Sequence, residues 1–205
     1  MKNIAVMLGG LPGSGKSTIA NKFINNNFLC ICKDTIRYEL ARRKYGNKPE
    51  TLLDEHLQKF NRDVHPIIES MIQSYFGKKA DTTVIETKMS MQNQMYAIDY
   101  INSIDFSNFN GIVFDATYFN SKQRKAEILR IDKRLPMYCI YVNKTVDECY
   151  AGVEKRAATI VGMYNGKNVY GRHVPKEVIE CMKKFESLPK ISEGFEKVFI
   201  IENKF

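Results

Sequence analysis

One short segment near the amino terminus constrains the fold more than any other part of the chain: residues 10–17 read Gly-Leu-Pro-Gly-Ser-Gly-Lys-Ser. They match the pattern G-x-x-x-x-G-K-[ST] in full, directly after the apolar run of residues 3–8 and before a helical pattern. In this pattern the glycines let backbone N–H groups point inward around an anion, at the positive end of a helix. The segment therefore predicts a nucleotide-phosphate loop between a strand and a helix.

The residues of this loop are expected to bind separate parts of a nucleotide. Lys16 is predicted to reach the β and γ phosphates, Ser17 to bind Mg²⁺ through its hydroxyl, and Thr18 to contact the α phosphate. The loop residues expected to form the nucleotide site are Gly10, Gly13, Ser14, Gly15, Lys16, Ser17 and Thr18. The motif thus indicates a nucleotide and Mg²⁺ without indicating how the nucleotide is used.

Short apolar runs alternate with helical patterns along the rest of the chain. Strands are predicted at residues 28–32, 83–87, 111–117, 137–142 and 197–201. The longest helical pattern, at residues 49–76, is expected to kink or divide at Pro66. Alternating strands and helices are typical of an α/β domain with a mainly parallel sheet. With 205 residues and no linker or internal repeat, the chain is predicted to form a single domain.

The charge balance favours an anionic partner. Lys and Arg outnumber Asp and Glu by 31 to 23, which gives a net charge of +8 and a pI near 9.1. Nucleic acid, nucleotide phosphates and an anionic membrane all fit this excess. The five cysteines are scattered, which argues against a disulfide framework or a zinc site, and no apolar run is long enough to cross a bilayer. The chain is therefore expected to be cytoplasmic, with no membrane partner.

Two carboxylates, Asp34 and Asp115, follow predicted strands, where parallel α/β sheets bind their ligands. Asp34 and Arg37 are three residues apart, so they share one face of a helix. Such a pair can accept a proton from a substrate hydroxyl and stabilise the charge that develops on a transferred phosphate. A helix N-cap role for Asp34 and a solvated surface position for Arg37 explain the same spacing equally well.

The segments GLPGSGKST, CKDTIR and FDAT, followed by Arg124, resemble the corresponding segments of the phage-type polynucleotide 5′-kinases, which are P-loop kinases with adenylate-kinase-like architecture. The resemblance covers about residues 1–43 and 111–190. It implies ATP-dependent phosphoryl transfer to the 5′-hydroxyl of DNA or RNA, with ATP and Mg²⁺ held by the loop. In that reaction Asp34 would be the general base, and Arg37 would contact the acceptor's 3′ phosphate or the transferring group.

The resemblance also assigns residues outside the loop. Asp115 would support the site by orienting Arg37. Arg156 would be a lid arginine on the phosphates, and Arg172 would be a second one. Nucleic acid with a free 5′-hydroxyl is the partner that this assignment implies.

The chain also departs from the family in several places. It has Lys33–Asp34–Thr35 where the family commonly has Arg-Asp-Asp, and Tyr118 where an asparagine usually follows DAT. Residues 1–205 would form a single kinase domain, with an insertion at about 44–110 and a lid at about 157–173 that is longer than usual. No length remains for a second enzyme.

Several features allow two interpretations each. Glu86, in the apolar run 83–87, is either an additional site carboxylate or part of an extra edge strand. The basic runs at 42–44 and 122–134 form either a groove for a nucleic-acid backbone or ordinary solvated helix faces. A kinase of a nucleoside, nucleotide, sugar or antibiotic, or a nucleotide-switched binding protein, would keep the same phosphate loop. The sequence predicts no particular oligomeric state.

Overall fold

A five-stranded, all-parallel β-sheet organises the chain, which confirms the predicted α/β fold. The computed structural model describes residues 3–47, 54–131, 135–164 and 167–202. Its strands are β1 (Ile4–Gly10), β2 (Phe28–Cys32), β3 (Gly111–Asp115), β4 (Met137–Asn143), β5 (Ile160–Tyr164), β6 (Lys167–Tyr170) and β7 (Lys197–Glu202). The five-stranded sheet has the order β2-β3-β1-β4-β7, and β5 pairs with β6 in a separate antiparallel hairpin.

Helices occupy most of the sequence between these strands. They are α1 (Lys16–Ile24), α2 (Lys33–Tyr45), α3 (Asp54–Gln58), α4 (Val64–Gly77), α5 (Thr83–Lys88), α6 (Met91–Asn102), α7 (Ser121–Ile128), α8 (Val146–Ala157) and α9 (Lys176–Lys184). Pro66 is the third residue of α4, where a missing N–H breaks no helical hydrogen bond. The expected helix at 49–76 is thus divided before Pro66, and its positions Leu52 and Leu53 lie outside the described residues.

The chain divides into two compact units. The sheet unit consists of Met1–Cys30, Asn110–Thr159 and Gly171–Phe205, and it contains β1, β3, β4 and β7. The helical unit consists of Ile31–Phe109 and Ile160–Tyr170, and it contains α2 to α6 and the β5–β6 hairpin. None of the described helices combines the length and the apolar character that crossing a bilayer requires.

The core of the sheet unit forms around the central strand β1. Val6 and Leu8 of β1 pack with Ala20 of α1 and Val113 of β3, and all four are almost fully buried. Leu8 pairs with Asp115, so β3 ends in a carboxylate beside the last residues of β1. Because the carboxyl ends of parallel strands meet at one edge of the sheet, this register brings Asp115 to the phosphate loop.

The basic run at 42–44 holds the helical unit together. Arg42 and Arg43 both form ion pairs with Glu39, and Lys44 donates a hydrogen bond to Asn93 of α6. The guanidinium of Arg43 also lies 5.0 Å from the centre of the Tyr100 ring. Arg43 and Lys44 thus join α2 to α6, whereas Arg42 pairs within α2, so neither the groove nor the solvated-face interpretation describes Arg43 and Lys44.

The second basic run also contains a structural residue, Arg124, whose side chain is 0% exposed. It forms a two-pronged ion pair with Glu193, at 2.7 and 2.8 Å, and donates to the carbonyls of Tyr118 and Ser187. The nucleic-acid groove interpretation is therefore wrong for Arg124. The predicted helix at 121–133 ends at Ile128, and Lys133 and Arg134 lie outside the described residues.

The apolar run 83–87 forms α5, so the strand predicted there is wrong. Val84 and Ile85 are both buried between α4 and α6, although they are adjacent in the sequence. The amide of Gln94 donates to the carbonyls of Ile85 and Glu86, which satisfies part of the helix C-terminus. Glu86 accordingly lies on a helix and belongs to no edge strand.

The lid predicted as a glycine-rich loop at 157–173 contains a β-hairpin. Ile160 pairs with Tyr170 and Tyr164 pairs with Lys167, with an irregularity between Ile160 and Gly162. Residues 165–166 lie outside the described residues.

Candidate active site

The phosphate loop leads from β1 directly into α1. Gly15 is the N-cap of α1 and has a φ of 100°, a left-handed conformation that glycine adopts without strain. Within the described part of the chain no side chain caps this helix start, so the first turn of α1 offers its N–H groups and its positive potential to an anion. The backbone thus has the form that the motif predicts.

Lys16 folds back over the loop. Its Nζ donates to the carbonyl of Leu11 at 2.7 Å and to Oγ of Ser14 at 3.2 Å, and the residue is 7% exposed. Phosphate oxygens are stronger acceptors for an ammonium group than a carbonyl or a hydroxyl. The loop therefore holds the Lys16 ammonium group at a position from which it can rotate to contact a bound phosphate.

Ser17 contacts a carboxylate that is distant in the sequence. Its Oγ donates to Oδ2 of Asp115 at 3.0 Å, across 98 residues. In P-loop proteins a loop serine or threonine and an aspartate of this kind hold Mg²⁺ together. Two oxygen donors suit Mg²⁺, which usually takes few protein ligands and keeps several waters. The sequence analysis predicted Ser17 as a metal ligand and gave Asp115 only a supporting role toward Arg37.

Helix α8 packs against the loop through close backbone contacts and through Cys149 and Val153, which are buried with Leu11. A Cβ added to Gly13 would collide with the carbonyl oxygen of Cys149, and one added to Gly152 would collide with the carbonyl oxygen of Gly13. Arg156 lies four residues after Gly152, so it is on the same face of α8 and about 6 Å further along the axis. Its Nε donates to the carbonyl of Arg172 at 3.0 Å, so the two predicted lid arginines lie together.

The predicted acid–arginine pair, Asp34 and Arg37, lies on α2, in the helical unit. Arg37 donates from Nη1 to Oδ1 of Asp34 at 2.6 Å and from Nε to Oδ1 of Asn61 at 2.7 Å. The Asp34 side chain is 63% exposed and that of Arg37 is 21% exposed. Because Cys32 is the N-cap and Asp34 lies in the first turn, the N-cap alternative for Asp34 is wrong. Asn61 lies between α3 and α4, and no spacing in the sequence connects it with Arg37.

Buried neutral groups lie under the loop and along β4. Burial raises the pKa of the Cys149 thiol, and it raises the pKa of Cys139 to about 12. The pKa of Tyr141 is also raised, first by burial and then by its hydrogen bond to Glu186. These groups stay protonated at neutral pH, so they act there as packing groups and as hydrogen-bond donors.

Comparisons with known proteins establish the fold. No protein-family model and no curated protein matches the chain. A solved structure from Chloroflexus aurantiacus, described as a “putative kinase”, is similar over 100% of this chain and 90% of its own, with a TM-score of 0.55 and 11% identity. A sugar kinase from Janibacter sp. HTCC2649 aligns over 97% of this chain and 84% of its own, with a TM-score of 0.49 and 13% identity.

A chain of a Pnkp1/Rnl/Hen1 complex aligns over 84% of this chain and 47% of its own, with a TM-score of 0.39 and 14% identity. At these identities the similarity bears on the fold alone. The chain shares its α/β fold with the Chloroflexus aurantiacus structure, and the comparisons leave its substrate open.

Proposed function

We propose that the protein is an ATP-dependent kinase that transfers the γ-phosphoryl group to the 5′-hydroxyl of a polynucleotide, DNA or RNA. The observation that carries the proposal is the exposed Asp34 carboxylate, which Arg37 holds on α2 in a chain with a complete phosphate loop. Phosphoryl transfer needs a positioned acceptor, a base, Mg²⁺ and cations, and it needs little covalent chemistry from the protein. The residues above are candidates for the base, for the oxygens that would hold Mg²⁺ and for the cations.

ATP and Mg²⁺ fit the residues of the sheet unit. The loop backbone and Lys16 would bind the phosphates, Thr18 would contact the α phosphate, and Ser17 and Asp115 would hold the metal. Arg156 and Arg172, which contact each other, would supply positive charge to the phosphates from the lid. When held by Ser17 and Asp115, Mg²⁺ would neutralise the charge on the phosphates during transfer.

The acceptor would bind at the start of α2. Asp34 accepts the proton of the 5′-hydroxyl as the oxygen attacks, and Arg37 contacts the acceptor's 3′ phosphate or the transferring group. The contact from Arg37 to Oδ1 fixes the orientation of the carboxylate, and Asn61 in turn fixes the orientation of the guanidinium. A carboxylate held in this way loses little orientational freedom when the acceptor arrives.

A direct test is transfer of label from γ-labelled ATP to a 5′-hydroxyl oligonucleotide. The Asp34→Asn variant keeps the shape of the side chain but removes the base, so we expect turnover to fall by about 10²- to 10⁴-fold. Its affinity for ATP should stay within a few-fold of the wild type. Asp105→Asn is the matched control, because Asp105 is an aspartate of the same unit whose hydrogen bonds within the described residues go to its neighbours Ser107 and Asn108.

Near-normal turnover of Asp34→Asn would remove Asp34 from the base role. Label transfer to nucleosides but not to oligonucleotides would replace the polynucleotide acceptor by a small one. ATP binding without transfer to any acceptor would point to a nucleotide-switched binding protein.

A further inference from the structure

We propose that Arg124 is a positioning residue that, through the backbone of Tyr118, holds the Asp115 carboxylate where it can take part in binding Mg²⁺. The inference rests on the proposed function, because it takes Ser17 and Asp115 as the residues that would hold the metal. It gives the buried ion pair between Arg124 and Glu193 a second role besides stability. All five residues belong to the sheet unit.

The segment at the end of β3, residues 115–118, contacts both ends of the phosphate loop. Oδ2 of Asp115 accepts a hydrogen bond from Oγ of Ser17, the last residue of the loop, at 3.0 Å. Two residues further on, the carbonyl of Thr117 accepts from the N–H of Gly10, the first residue of the loop, at 2.8 Å. A change in the backbone of this segment therefore moves the carboxylate relative to Ser17.

Tyr118 turns the chain directly after these contacts. Its φ is 39°, in the left-handed region that residues with a Cβ seldom adopt. The residue is buried, and its carbonyl oxygen would lie 3.5 Å from a Cβ added to Gly9. A large residue keeps such a conformation only where the surrounding contacts hold it. The turn at Tyr118 is thus the place where the segment relaxes when those contacts are lost.

The guanidinium of Arg124 supplies one of these contacts. Its Nη1 donates to the carbonyl of Tyr118 at 3.0 Å and to the carbonyl of Ser187 at 2.8 Å. Glu193 accepts from Nε and Nη2 of the same group and fixes its orientation. The side chain of Arg124 is fully buried, so bulk water does not compete for these donors. The position of the turn therefore depends on a donor that is fixed from two sides.

A positioning role and a purely stabilising role make different predictions for the same variant. A buried ion pair can be replaced by apolar side chains of similar volume with little loss of stability. Arg124→Met with Glu193→Leu is such a replacement, and it also removes the donor to the Tyr118 carbonyl. If Arg124 only stabilises the fold, this double variant binds a metal normally. If Arg124 positions Asp115, the variant is folded but binds the metal weakly.

The test measures metal binding and needs no turnover. ADP is bound to an excess of the protein and titrated with Mn²⁺, which takes oxygen ligands as Mg²⁺ does. The electron paramagnetic resonance signal of the free ion gives the Kd of the metal. Asp115→Asn is the reference variant, and we expect it to raise this Kd about 10-fold. Arg124→Met with Glu193→Leu should raise it by about the same factor, with a urea midpoint close to that of the wild type.

A second variant and a matched control complete the test. Arg124→Lys keeps a cation beside Glu193, but an ammonium group does not reproduce the fixed fork of the guanidinium, so the Kd of Mn²⁺ should rise a few-fold. Arg130→Met with Glu127→Leu is the control, because it removes another ion pair at the end of α7. The control should bind Mn²⁺ as the wild type does. In every variant the Kd for ADP without metal should stay within a few-fold of the wild type.

Wild-type Mn²⁺ affinity in the folded double variant and in Arg124→Lys would overturn the positioning role. If the double variant does not fold, Arg124→Lys decides on its own. An equal loss in the Arg130 and Glu127 control would also overturn it, as would wild-type affinity in Asp115→Asn. The kinase proposal is tested separately by label transfer: the expected Mn²⁺ results in a protein that phosphorylates no acceptor would keep this inference and reject the kinase.

Discussion

At the scale of single residues, the contact between Ser17 and Asp115 shows how a site is assembled across the chain. The sequence predicts both residues beyond the ends of strands, but it does not predict that they meet, because the order of the strands in the sheet decides which ends are neighbours. Once β3 lies next to β1, the Asp115 carboxylate has a defined place beside the phosphate loop. Asp115, at the end of β3, is then a candidate for holding a metal together with Ser17 of the loop.

We expect Asp115→Asn to raise the Mg²⁺ concentration needed for half-maximal label transfer by about 10- to 100-fold, as is typical when a group that supports a metal is removed. The amide keeps the size of the side chain but loses the charge. The measurement is transfer rate against Mg²⁺ at saturating ATP. An unchanged Mg²⁺ dependence would show that Asp115 serves only to hold Ser17.

The candidate site was predictable wherever the relevant spacing is local. The phosphate loop is one continuous pattern, and Asp34 and Arg37 are three residues apart on one helix, so sequence alone suffices for these contacts. Asn61 is 24 residues from Arg37 and lies between two helices, so only the packing of those helices brings it there. Site residues that are close in the sequence can be predicted from it. Residues of other elements that orient them, such as Asn61, cannot.

At the scale of elements, secondary structure is likewise predictable where the signal is local and not predictable where packing decides it. The run at 83–87 has the β-branched, apolar composition of a strand, yet a run this short is ambiguous, and packing between α4 and α6 makes it helical. The sequence has a signal for the hairpin β5–β6, since Asn165–Gly166 is a strong two-residue hairpin signal between its strands. The strands of the parallel sheet were predictable because they are buried apolar runs of ordinary length.

Arg124 joins the elements of the sheet unit, and we expect its removal to be costly. Arg124→Met leaves Glu193 buried without a partner, which should lower the free energy of unfolding by about 3–5 kcal/mol. The double variant Arg124→Met with Glu193→Leu should recover much of that loss, because it buries no unpaired charge. Urea unfolding measures both.

Lys176→Met is the control for this pair. Its ion pair with Asp147 is exposed, so its removal should leave the free energy of unfolding nearly unchanged. If Arg124→Met proves no more destabilising than this control, the buried ion pair does not hold the 187–193 segment to α7.

At the scale of the whole molecule, the charge excess and the phosphate loop belong to the same unit. Of the net charge of +8, one positive charge belongs to the helical unit and the rest belongs to the sheet unit. The sheet unit also contains Lys16 and the two lid arginines. The excess therefore accompanies the part of the chain to which we assign nucleotide phosphates. The helical unit, to which we assign the acceptor, is close to neutral.

The sheet unit should also lose stability in alkaline solution. The pKa values of Cys139 and Tyr141 are raised in the folded state, so the unfolded chain releases these protons at a lower pH than the folded chain. Their contribution is complete below pH 9, the ordinary pKa of the thiol, and declines as the pH rises toward the folded value of about 12 for Cys139.

Urea midpoints at pH 7, 9 and 10.5 measure this effect. Tyr141→Phe removes one of the two groups, so its stability should fall less steeply above pH 10, the ordinary pKa of a tyrosine. A decline of the same steepness in Tyr141→Phe would show that other groups control the alkaline limit.

The close approach of Gly13 and Gly152 has a consequence for which loop sequences this fold accepts. The general phosphate-loop pattern leaves position 13 unspecified, because phosphate binding does not require glycine there. In this chain the requirement comes from the φ of 79° at Gly13 and from α8, whose backbone occupies the space of any Cβ. A phosphate loop borrowed from another nucleotide-binding protein therefore fits here only if it also carries glycine at that position, whatever its affinity for nucleotide in its original setting.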